Sequence, residues 1–141
     1  MNEQYKLLLA EAKKLNQRNF CGPLAAAAAS GIEFADSIAR FEALGRNRRS
    51  GVFKYMYQQI LADLGFAMVR VSEAELNRLE PSMALSTNSV SRNVEAWRGK
   101  TYFARGDGHV CTIIDGEIID WTADCRMRIL ELYEIQSKEP S

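Results

Sequence analysis

The pair Asp115-Gly116 stands between two short β-rich runs, His109 to Ile114 and Glu117 to Trp121. An Asp-Gly pair in that setting is a strong signal for a hairpin with a two-residue loop. The hairpin then fixes a register. Ile114 faces Glu117, Ile113 faces Ile118, Thr112 faces Ile119, Cys111 faces Asp120 and His109 faces Thr122. Opposed residues share a face of the sheet, and so do residues two apart. His109, Cys111, Asp120 and Thr122 are thereby predicted on one face. His109 and Asp120 are diagonal neighbours, about 7–8 Å apart at the backbone and within side-chain reach. A slip of one residue would put them on opposite faces.

His109 is the only histidine in the chain. Any chemistry that needs a histidine base must use it. A carboxylate on one ring nitrogen holds an imidazole in its working tautomer and stabilises its charged form. Asp120 is the carboxylate that the register supplies. Asp107, in the run Gly106-Asp107-Gly108, is an alternative partner. Asp120 could instead cap the turn Thr122-Ala123-Asp124.

The other reactive candidate is Cys21. A helix is predicted from about Gly22 to Ser30, with Pro23 in its first turn, where a missing N–H costs little. Gly31 ends it. A helix N-terminus favours negative charge, and a thiol attacks as thiolate, so a cysteine at such an end is a candidate nucleophile. The commoner fate of a free cysteine is burial as a small apolar residue.

The rest of the chain reads as helices first and strands last, an α+β order. Apolar spacing predicts helices over Glu3 to Asn16, Phe34 to Leu44 and Val52 to Leu64, the last two separated by a basic loop, Arg46 to Gly51. That arginine-rich loop reads as solvated surface. Phe66 to Val71 reads as a short strand. Ser72 and Glu75 form a capping box for a helix through Leu79, stopped by Pro81. Leu85 to Ser91 reads as a polar loop, mobile near a cleft in one reading, and Ser91 to Trp97 as a short helix. Thr101 to Ala104 and Met127 to Ile135 read as strands, and 136–141 as a frayed tail.

A length of 141 residues suits one domain, and 47% hydrophobic with 26% charged residues is ordinary for a globular chain. A formal net charge of zero argues against nucleic acid as a partner. No apolar run reaches the ~18 residues of a membrane span. Met1 to Ala10 carries Glu3 and Lys6 and no cleavage pattern, so it does not read as a secretory signal. Three widely spaced cysteines fit a reducing, cytoplasmic setting without disulfides.

The run Cys21-Gly22-Pro23-Leu24-Ala25-Ala26-Ala27 resembles the Cys-Gly-Pro-x-Ala nucleophile motif of bacteriocin-processing, double-glycine-type peptidases, members of the papain-like superfamily. In that superfamily the cysteine begins a central helix packed on an antiparallel sheet. The histidine follows on a strand, and Asn or Asp on the next. Cys21, His109 and Asp120 come in that order. Gly108-His109-Val110, then Asp115-Gly116 and Ile119-Asp120, is similar to the family's histidine region. Trp121 resembles the tryptophan that shields the His–Asn pair in papain-type enzymes, at shorter spacing. The motifs cover some 25 of 141 residues. The glutamine usually found about six residues before the cysteine is Leu15 here, and Asp120 is not followed by proline. Gln17 and Asn19 are the candidate oxyanion donors beside the Cys21 N–H.

The resemblance implies an α+β papain-like domain over 1–141, acting as a cysteine peptidase. Cys21 would be the nucleophile, His109 the base and Asp120 the orienting carboxylate, with no cofactor and no metal. The expected partner is a protein or peptide substrate, with neither nucleic acid nor membrane. The chain is expected to be monomeric, cytoplasmic and of phage or bacterial origin. Two alternatives stand beside this reading. One is a papain-like binding or inhibitor module without activity. The other is a structural zinc site drawn from Cys21, Cys111, Cys125 and His109.

Overall fold

The computed structural model describes residues 7, 10, 21–44, 54–82, 84–106, 109–119 and 127–137, with the backbone alone at 21–24, 54 and 55. Leu7 and Ala10 are helical. The remainder of the predicted first helix, the basic loop and residues 138–141 lie outside the described residues.

Helix α1 spans Cys21–Ser30. It ends at Gly31, whose φ of +82° turns the chain while its N–H donates to the Ala27 carbonyl at 2.8 Å. Helix α2, Phe34–Ala43, buries Phe34, Ser37, Ile38 and Phe41 along one stripe. Helix α3, Lys54–Asp63, buries Met56, Tyr57, Ile60 and Leu61. Strand β1, Phe66–Arg70, follows, then helices α4, Glu73–Leu79, α5, Thr87–Arg92, and α6, Val94–Trp97. Strands β2, Thr101–Gly106, β3, His109–Ile114, β4, Glu117–Ile119, and β5, Glu131–Ser137, complete the described chain.

These strands form one five-stranded sheet in the order β1-β5-β2-β3-β4, antiparallel at every pairing. The fold is therefore α+β. Alternation along each strand divides its side chains between two helical layers. Phe103, Val110, Tyr133 and Ile135 point to one face and cluster with Ala25, Ala26, Phe41, Tyr57 and Ile60 of α1–α3. Tyr102, Ala104, Cys111, Ile113 and Leu132 point to the other and cluster with Leu79, Val90 and Trp97 of α4–α6. Among the described residues no helix is long and apolar enough to cross a membrane.

The predicted hairpin register holds over the described residues, and its pairs with Asp120 and Thr122 lie outside them. Ile114 pairs with Glu117, Ile113 with Ile118 and Thr112 with Ile119. Asp115 and Gly116 have φ of +51° and +79°, the left-handed pair that a type I′ turn requires.

Other expectations are corrected. Ser86 to Ser91 is not a loop. The Ser86 hydroxyl accepts from the Asn88 N–H at 3.2 Å and Ser89 Oγ accepts from the Ser86 N–H at 3.0 Å, so serines cap α5 where apolar periodicity gave no sign of it. The last strand begins at Glu131, not Met127. Residues 127–129 bond sideways to 85–87 through Thr87 N–H to Met127 O and Ile129 N–H to Leu85 O, and the chain bends at exposed Leu130 before joining the sheet. Gln136 and Ser137 are not frayed but pair with Ala67 and Phe66. The Ser72 hydroxyl accepts from the Glu75 N–H at 3.2 Å as predicted. The Glu75 carboxylate, however, turns to Arg78 and to the buried Tyr102 hydroxyl. The Arg78 bond holds the Glu75 carboxyl below its usual range, while burial and the hydrogen bond to Glu75 push the Tyr102 phenol up.

A buried carboxylate, Glu80, joins α4 to α5. It accepts from Ser82 and from Arg92 Nη2, the latter at 2.8 Å. Hydrogen bonds from Ser82, Ser89 and Arg92 hold its pKa down to about 2, from an ordinary 4.5. A depressed carboxyl stabilises the fold fully above its unfolded pKa, and that contribution fades as pH falls through the folded one. The melting temperature is therefore expected to fall between about pH 4.5 and pH 2 more steeply in the native chain than in Glu80→Gln. Parallel curves in acid melts would remove Glu80 from the account.

Candidate functional site

Helix α1 lies on β3. The buried Thr112 hydroxyl donates to the Ala25 carbonyl at 2.7 Å, which ties the helix to the strand where the alanine run lets the two backbones approach. Farther along the helix, Ala27 and Ala28 cluster with Phe34, Ile38 and Ile119. Ile32, just past the helix, and Ile114 at the turn end of β3 both pack against that cluster. The helix thus runs along β3 towards Ile114. Cys21 is one turn before Ala25, about 6 Å back along the axis, or about two strand residues. The backbone of Cys21, at the first residue of α1, therefore stands at the end of β3 where His109 begins the strand.

His109 is partly buried and pairs with Gly106 across β2. The register is continuous from there to Thr101 opposite Ile114, so alternation is unbroken. His109 accordingly shares the face of Cys111 and Ile113, as expected, and not the Val110 and Thr112 face that α1 covers. Cys111 is a core residue, and it lies beneath the α4–α6 layer and not beneath α1. His109 and the first residue of α1 share an end of the sheet and approach it from opposite faces.

The other predicted site residues, Asp120, Gln17 and Asn19, lie outside the described residues, as do Asp107, Trp121, Cys125 and the Cys21 side chain.

Two features at this end had no sequence signal. On the α1 face, Arg105 Nη1 meets Glu131 Oε1 at 2.9 Å, and the Tyr133 hydroxyl donates to the same carboxylate. Arg105 pairs with Val110, so this ion pair lies on the face that α1 covers, at the His109 end of the sheet. These residues are 26 apart in sequence, and only the β2–β5 pairing joins them. On the other face, Met127 and Arg128 pass close over Gly106. A β-carbon at Gly106 would overlap the Met127 side chain and come 2.8 Å from the Arg128 carbonyl oxygen. This strap is fixed by the Thr87 hydroxyl, which accepts from the Met127 N–H at 3.0 Å, and by the Leu130 N–H donating to Arg105 O at 2.8 Å.

Chemically, the described residues offer a cysteine at a helix start and an imidazole at the same sheet end. No family model, curated protein or solved structure matches the chain.

Proposed function

We propose that the chain is a papain-like thiol hydrolase acting on a peptide or other amide bond. The observation that carries this reading is the common end of β3 shared by the first residue of α1, Cys21, and the chain's only histidine. His109 takes the thiol proton and the Cys21 thiolate attacks the carbonyl carbon. The tetrahedral oxyanion is held by the Cys21 N–H together with Gln17 or Asn19. Collapse of this intermediate breaks the C–N bond, and His109 returns the proton to the leaving amine. Water then attacks the acyl-enzyme with His109 as base, releasing the acid and the thiol. An amine in place of water would give transfer. Asp120 orients the imidazole throughout.

A second reading, a papain-like binding module without activity, is favoured by one observation. Unbroken alternation turns His109 to the face opposite α1. Alkylation with iodoacetamide across pH separates the two. An active Cys21 labels faster than Cys111 and Cys125, with a midpoint below about 7.5. Equal, slow labelling of all three thiols would end the hydrolase reading.

A further inference from the structure

Beside the strap over Gly106 lies a cavity of about 510 Å³. Leu85 and Ile129 give it apolar surface, and Ser82, Ser86, Arg92 and Arg128 give it polar surface. Two guanidinium groups therefore share a cavity whose described lining holds no carboxylate. Arg92 is anchored from behind. Its Nη2 is bound to Glu80, which is 7% exposed, while the Arg92 side chain remains 56% exposed. A guanidinium carries five N–H donors, so most of this fork remains available to a ligand. Arg128 is exposed and forms no ion pair among the described residues. Its backbone is fixed by the bridge to Ser86 and by the hydrogen bonds of Met127 and Ile129. Two forks on anchored backbone suit a carboxylate, which accepts bidentate bonds from arginine. Leu85 and Ile129 suit an aliphatic side chain next to it. The cavity size is in the range that holds a ligand of a few residues.

We propose that this cavity is a recognition subsite for an acidic residue flanked by an apolar one in a bound peptide. It opens beside the candidate site, since the Arg128 carbonyl lies over Gly106 and Gly106 pairs with His109. Binding here does not require Cys21 to be reactive.

The test is titration of the full chain carrying Cys21→Ala, which prevents turnover, with acetyl-Leu-Glu-Leu-amide and with its Gln counterpart, followed by amide NMR shifts. The Glu peptide is expected to bind about tenfold more tightly at low salt, with shifts centred on Ser86, Arg92 and Arg128. The preference should shrink at high salt, because it is electrostatic. Arg128→Gln, an exposed change whose folding is checked by a thermal melt, should abolish the preference. Equal binding of the two peptides overturns the proposal, as does a preference that survives Arg128→Gln. Binding of inorganic phosphate while neither peptide binds would reassign the cavity to a free anion and also overturn it. An unreactive Cys21 with the Glu preference intact would sink the hydrolase reading and leave this one standing.

Discussion

His109→Ala should slow the alkylation of Cys21 about tenfold or more near pH 6.5 and move its midpoint up towards ~8.5, the value of a free thiol. The start of α1 supplies unpaired N–H groups and the positive end of a dipole whether or not the histidine is present, so some depression should persist. The histidine's own contribution is the difference between native chain and variant. Asp120→Asn should give a smaller change in the same direction, because it removes the charge that favours imidazolium while leaving the ring. Cys111, fully buried under Trp97 and Leu79, is the internal control and should label slowly in every variant. If His109→Ala leaves Cys21 unchanged, the imidazole stays on its own face of the sheet, and the inactive-module reading takes over.

Gly106→Val is the second large effect expected. The space above Gly106 is already filled by the Met127 side chain and the Arg128 carbonyl. Met127 can swing aside, but the Arg128 carbonyl belongs to backbone pinned by Thr87, Leu85 and Arg105. Overfilling a packed site costs about 1–3 kcal/mol, and a pinned neighbour puts this substitution at the upper end. Because Gly106 is paired with His109, the strain falls at the candidate site as well. Chemical denaturation should show the lost stability, and Cys21 labelling should show whether the histidine has moved. A Gly106→Val variant as stable as the native chain would mean that the strap is looser than its hydrogen bonds imply.

Features carried by local chemistry were legible in the sequence. The Asp115-Gly116 turn set the register because positive φ at two successive residues leaves few alternatives, and three observed pairs match it. The end of α1 at Gly31 and the Ser72 cap of α4 are similarly local. What could not be read depends on contacts between distant segments. Met127 to Ile129 resembles strand because Ile129 is buried and apolar, yet its hydrogen bonds go to 85–87. The Gln136-Ser137 tail resembles frayed chain because it is polar, yet β1 lies beside it as a template. The hairpin register showed that His109 and Cys111 share a face. It could not show which layer that face meets, since both faces of β3 are buried and its apolar pattern runs through Val110, Cys111 and Ile113 without a polar side.

The position of β5 has a consequence for the order of assembly. In the sheet it lies between β1 and β2, which do not pair with each other. A growing chain can form the β2–β3–β4 meander locally, and β1 can rest against α3, but the two parts stay unjoined until Glu131–Ser137 has been synthesised. The strand that closes the sheet also brings Glu131 to Arg105, at the end where α1 begins. Loop closure across so long a segment is slow relative to hairpin formation. The sheet end that carries the candidate site is therefore among the last parts of the domain to be assembled, and until then the exposed edges of β1 and β2 are the surfaces that a chaperone would have to shield.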